Sequence, residues 1–194
     1  VPVIASSPDI MSAAVGSGAV ADGAMHLYIG TSAWLSGHVP FKRTDVFHNI
    51  PTLPSSIRGR YLVCTEQQPA GRSLEHLRNS LLGSPQTLYA ELAAEAEGAP
   101  PGAGGVIFTP WLNGERTPLD DPHTRASYTN ISLGTTRGAL VRATLEGVAM
   151  NARWMHHHTE KLMKQRIDDI ALIGGGATLD IWCQTIADVF DRQV

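Results

Sequence analysis

Residues 135–162, TTRGALVRATLEGVAMNARWMHHHTEKL, form the longest helical pattern in the chain, apolar on nearly every side up to Met155. A helix with no polar face has no stable position at a protein surface, so it belongs in the centre with other elements packed around it. Glu146 lies inside that apolar stretch. A buried carboxylate requires a partner, and Arg142 and Arg153 are both in range on the same helix, so a structural role is expected. His156, His157 and His158 invite a metal reading, but consecutive helical residues point about 100° apart and cannot share one ion. A solvated face is expected there instead. Trp111, Trp154 and Trp182 are expected to pack in the core.

Strand patterns alternate with helical ones along the rest of the chain. VPVIA (Val1–Ala5), AMHLYIG, WLSGHV, RYLVCTEQ and GVIFTPWL read as strands. Asp9 to about Gly18, GRSLEHLRNSLL and PQTLYAELAAEAEG read as helices, the second with Leu74, Leu77 and Leu81 on one stripe. Residues 40–59 and the run NGERTPLDDPHTRA read as irregular loops. DDIALIGGGATLDIWCQTIADVF closes the chain as strand, glycine turn and helix. This order specifies an α/β fold.

At 194 residues the chain is one large domain or two small ones, and 43% apolar content is enough for a real core. A net charge of −3 and the lack of any Lys/Arg run argue against nucleic-acid binding. No apolar run approaches the roughly 18–20 residues of a membrane span, and no signal peptide is visible. Cys64 and Cys183 lie far apart without metal-ligand spacing, which fits reduced thiols in a cytoplasm. No metal ligands are expected. Both ends read as cut within a larger protein.

Three glycine turns stand where a strand pattern ends or a helix begins: Gly30-Thr31-Ser32, Gly71, and Gly174-Gly175-Gly176. Glycine lets backbone N–H groups approach and surround an anion, yet each turn alone is as readily a plain turn or cap. GxxxxGK[ST] is absent, so a Walker loop is excluded. Gly16-Ser17-Gly18 with Ala21 mimics a dinucleotide fingerprint, but it follows a helix rather than a strand. Asp9 is the best acid/base candidate and equally a helix N-cap. Glu115 and Arg116 in NGERTP either reach a cleft or, for Arg116, pair with Asp120 or Asp121.

Taken in order, PDIMSAAVGSG, YIGTS, TEQQPAGRSLEHLR, FTPWLNGERTPLDDPHTRASYTNISLG, TRGALVRATLEGVAMNAR and LIGGGATLDIWCQTIADV resemble the C-terminal lobe of the FGGY carbohydrate kinases, the xylulokinase-like branch above all. The resemblance implies a ribonuclease H-like lobe of the actin/hexokinase ATPase fold, with a mixed sheet flanked by helices. It implies ATP and Mg2+ as cofactors and a sugar or polyol as acceptor. It casts Asp9 as the general base at the sugar hydroxyl, and Gly30, Thr31 and Ser32 as the turn on the β- and γ-phosphates. Gly71 falls on the nucleotide phosphates, Gly175 and Gly176 on the adenine-nucleotide site, and Asp180 beside the adenosine. An N-terminal lobe of the same protein is the implied partner, bringing a further phosphate loop and most sugar contacts. A homodimer is a further expected partner state. A non-catalytic relative, or a chaperone or filament protein of the same superfamily, is the alternative. SSPDI departs from the family, since Ile10 after Asp9 cannot hydrogen-bond a sugar.

Overall fold

The computed structural model describes residues 7–194, so the strand expected over Val1–Ala5 lies outside the described residues. The first helix, α1 (Asp9–Gly16), buries Met11 and Ala14. Strand β1 (Met25–Ile29) turns at Gly30 and returns as β2 (Ala33–Val39), antiparallel, with Leu27 opposite Leu35. Residues 40–59 are not the irregular loop expected, because they hold two strands, β3 (Thr44–Asp45) and β4 (Ile50–Pro54). Thr52 is the physical reason. Its N–H and hydroxyl both donate to the Arg43 carbonyl, at 3.0 and 2.8 Å, and its hydroxyl accepts from the Arg43 N–H. IPTLP is short and interrupted by prolines, which masks the alternation of a strand that pairs with β3 on one side.

β5 (Tyr61–Cys64) lies between β4 and β2. Helix α2 (Gly71–His76) runs directly into a π-helical turn, Leu77–Leu81. Leu74 and Leu77 are buried as expected, but the wider turn rotates Leu81 out to solvent. α3 (Tyr89–Glu97) starts where the Glu91 carboxylate accepts from the Leu88 N–H at 3.1 Å. β6 (Ile107–Thr109) pairs with β7 (Ser127–Thr129), a three-residue strand too short and polar to read from sequence.

The long helix is α4 (Arg137–Met163), 27 residues begun by the Thr136 hydroxyl accepting from the Ala139 N–H. β8 (Ile170–Ile173) and α5 (Asp180–Phe190) follow. The main sheet runs β3-β4-β5-β2-β1-β8, antiparallel except for the parallel pair β1–β8. It is a mixed sheet in an α/β fold. α4 packs on β2, and α3, α5 and β6 pack on α4. The core therefore joins Leu27, Ile29 and Leu35 to Leu145, Val148 and Trp182. No helix of the described residues is long and apolar enough to cross a membrane.

Of the two arginines in range, Arg142 is the one that meets Glu146, at 2.9 Å, with both side chains nine-tenths buried. Arg142 also donates to the Ala96 and Ala99 carbonyls, and Glu146 accepts from the Gly102 N–H. Each buried charge thus has several partners, which offsets its desolvation. The solvated histidine face is corrected: His156 is fully buried edge-on against Phe190, His158 is buried too, and only His157 faces out. The helix stays covered past Met155 because α5 packs along it. Trp182 packs in the core, whereas Trp154 is 38% exposed and Trp111 is half-buried.

The approach of α4 to β6 is set at Gly147, where a Cβ would stand 2.2 Å from the Phe108 carbonyl oxygen. Helix propensity alone favours Ala there by about 1 kcal/mol, but a strand carbonyl cannot swing away. Gly147→Ala is expected to destabilise the protein by about 1–3 kcal/mol. Urea unfolding followed by circular dichroism checks this, and a more stable variant would contradict it.

Candidate active site

β1 ends in a tight turn in which the Gly30 N–H donates to the Ser32 carbonyl at 2.9 Å. The segment entering α2 crosses directly over it. Ala70 and Arg72 N–H donate to the Thr31 carbonyl at 3.0 and 3.2 Å, and Gly71 N–H donates to the Gly30 carbonyl at 2.8 Å. A Cβ at Gly71 would lie 2.4 Å from that Gly30 oxygen, so this crossing needs glycine. Parallel pairing sets Ile173 beside Tyr28, which brings the turn after β8 alongside the turn after β1. There the chain makes a 3-10 turn, Gly175–Thr178, and enters α5.

The three turns converge on one cavity of about 420 Å³ whose wall includes Gly30, Thr31, Gly71, Gly175 and Gly176. Backbone bonds occupy the amides of Gly30 and Gly71. Those of Thr31, Ser32, Gly175 and Gly176 have no acceptor among the described residues. Free N–H groups on converging turns suit an anion. Trp182, Leu179 and Tyr89 add apolar surface, while Arg72, Glu75 and Thr178 add polar groups. A ligand with a flat apolar part and a charged tail matches such a wall. Arg72 and Thr178 were marked only by adjacency to glycine turns, and Tyr89 carried no sequence signal.

Ser32, Asp180 and Asp9 do not line this cavity. Asp180 opens α5 beside it. Asp9 opens α1, exposed, with its carboxylate accepting from the Ile10 N–H at 2.8 Å. Ile10 lines a second cavity of about 290 Å³ together with Trp34, Glu66 and Arg116. Arg116 pairs there with Glu66 at 2.5 Å, not with Asp120 or Asp121.

Residues 25–194 match the family model for the C-terminal domain of the FGGY family of carbohydrate kinases. The chain belongs to the FGGY family. It is 31% identical to the xylulose kinase of Staphylococcus epidermidis over all of its length, and 35% identical to the gluconokinase of Bacillus licheniformis over 55% of it. It superposes on the crystal structure of a xyloylose kinase from Brucella ovis with a TM-score of 0.86, at 26% identity over 95% of the chain. It spans 38% of the staphylococcal enzyme, 21% of the gluconokinase and 37% of the Brucella structure. The lobe has the actin/hexokinase-like fold that the resemblance implied.

In this FGGY lobe the NGERTP run does more than form a loop. Glu115, only 3% exposed, accepts from the N–H groups of Gln68 and Arg116 at 3.0 and 2.8 Å. Its other oxygen accepts from the Asn151 side chain of α4 at 2.9 Å, and Asn151 in turn accepts from the Trp111 indole at 3.1 Å. One carboxyl thus ties the loop and the central helix to the segment that carries Gly71. Sequence reading named Glu115 but could not find its partners, which are distant along the chain.

Burial pushes the Glu115 carboxyl up to about 7, against the pull of its three N–H donors. Between its ordinary value of 4.5 and about 7 the folded chain holds more protons at this site than the unfolded chain. Stability from this group is therefore highest below that window, falls as pH rises through it, and is flat above. Glu115→Gln removes the titration. The stability of the variant relative to wild type is expected to improve by about 1–3 kcal/mol between pH 5 and pH 8. A pH-independent difference in denaturation free energy would refute the assignment.

Proposed function

We propose that the protein carrying this chain transfers the γ-phosphoryl group of ATP to a hydroxyl of a sugar, a xylulose-like ketose first and gluconate next, and that residues 1–194 are its C-terminal nucleotide-binding lobe. One observation carries the reading: turns from three distant parts of the sequence meet at a single amide-rich cavity with apolar surface beside it. The names of the relatives support the acceptor class.

In this reading Thr31 and Ser32 present their N–H groups to the β- and γ-phosphates, with Gly30 shaping the turn. Gly71 holds the crossing loop against them. Gly175 and Gly176 face the nucleotide, and Asp180 stands near the adenosine. Asp9 accepts the proton of the sugar hydroxyl as that oxygen bonds to the γ-phosphorus and the bond to the ADP oxygen breaks. Phosphoryl transfer requires mostly in-line positioning and charge stabilisation, which fixed amides and one carboxylate supply. An N-terminal lobe closing on this face would exclude the water that otherwise takes the phosphate. The cavity wall does not fit a Mg2+ site of its own, since Glu75 is its one carboxylate and an octahedral ion needs more oxygen donors.

SSPDI supports a second reading, a family member that binds without catalysis, because Ile10 offers the sugar no hydrogen bond. Sugar-dependent ADP release by the full-length protein decides between them. Asp9→Asn is expected to lower that rate by about 10²–10⁴-fold with ATP affinity nearly unchanged. A rate that holds would remove Asp9 as the base, and no turnover with any ketose or polyol would favour the binder. The 194-residue chain alone is expected to give no turnover with ATP and pentuloses.

A further inference from the structure

The hairpin between β3 and β4 brings Asp45 and His48 against the C-terminal half of α4, where His158 stands. His48 Nδ1 donates to Asp45 Oδ2 at 2.7 Å. The other Asp45 oxygen accepts from the N–H groups of Phe47 and His48 at 3.1 and 3.2 Å, which fixes the carboxylate's direction. The His48 ring lies on the His158 ring with centroids 3.7 Å apart and planes tilted by 27°. One donor atom from each of the three residues lies within 4.8 Å of the other two. His158 is only 9% exposed, and its Nδ1 has no hydrogen-bond partner among the described residues.

We propose that Asp45, His48 and His158 bind one divalent transition-metal ion of the Zn2+ type, which clamps the β3–β4 hairpin to α4. Two imidazoles and a carboxylate are a donor set zinc accepts, with water completing the shell. The ion takes the place of the proton on His48 Nδ1, and that proton passes to Nε2 through solvent, so the ring ligates as a neutral imidazole. Tetrahedral bonds of about 2.0–2.2 Å put donor atoms about 3.3 Å apart, so the cluster must tighten. The hairpin can supply that movement: β3 is two residues long, and Val46 and Phe47 at the tip are 79% and 88% exposed.

The protonation states agree with this geometry. Burial, then the nearby charges of His48, His157 and Lys161, hold the His158 pKa below its ordinary value despite the opposing pull of Asp45. Burial alone would raise the Asp45 carboxyl, but donation from the His48 side chain and from the His48 and Phe47 amides lowers it. Each histidine of the 156–158 triplet points a different way, as expected. The partners of His158 come from the hairpin, not from its neighbours in sequence.

Isothermal titration of the chelator-treated full-length protein with ZnCl2 tests this, with Co2+ absorption as a second readout. One equivalent should bind with Kd of about 10 µM or tighter, and Co2+ should give visible bands of low-symmetry N/O ligation. His48→Ala and His158→Ala should each weaken binding at least about tenfold, and His157→Ala should leave it unchanged. His48 lies on the surface hairpin, so its variant stays informative even if His158→Ala misfolds by circular dichroism. Weaker than about 100 µM binding by wild type, or tight binding that survives His48→Ala, would overturn the site and leave only an ion pair beneath a ring stack. Neither result bears on phosphoryl transfer.

Discussion

A helix buried round nearly its whole circumference can exist only if protein is built on every side of it, and α4 sets that condition for this lobe. The sheet covers one side through β2, α3 and α5 cover others, and β6 closes on Gly147. Several of the polar groups taken inside are answered by partners. Arg142 and Glu146 satisfy one another and the backbone between α3 and β6, and the Trp182 indole donates to the Leu145 carbonyl at 3.2 Å. These bonds have direction, which apolar contact lacks. The Trp182 bond fixes the seat of α5, and with it the position of the Gly175 turn.

The site depends on that seating more than on any one side chain. A strand-end turn can offer amides only when the backbone bonds nearby are already arranged. Gly30 spends its N–H inside its own turn and Gly71 spends its N–H lacing the segment before α2 onto that turn, which leaves the amide of Thr31 without an acceptor in the cavity wall. The glycines are thus scaffolding for their neighbours' donors. Glu115 extends the same logic one layer deeper, from Gln68 to Asn151 on α4.

Much of this was legible in the sequence because the signals were local. AMHLYIG and WLSGHV gave β1 and β2, the apolar run around Met155 gave α4, and GGG after an apolar stretch gave the turn into α5. Elements held by distant partners were not. β4 exists because Thr52 bonds Arg43 and pairs with β5, and IPTLP contains nothing that says so. The burial of His156 depends on Phe190, and the exposure of Trp154 on what fails to cover that turn. At the cavity the glycines could be named one by one, but Tyr89 and the missing amide acceptors appear only in three dimensions.

The parallel pair of β1 and β8 has a consequence for how such a chain is made. β1 ends at Ile29, yet its outer neighbour begins only at Ile170. On the ribosome, the first hairpin emerges long before the strand that covers its open flank, and until then that flank can pair with another nascent chain. The three-turn cavity is complete only when synthesis of this region is nearly over, so a prematurely terminated product would carry two of its turns and an adhesive margin.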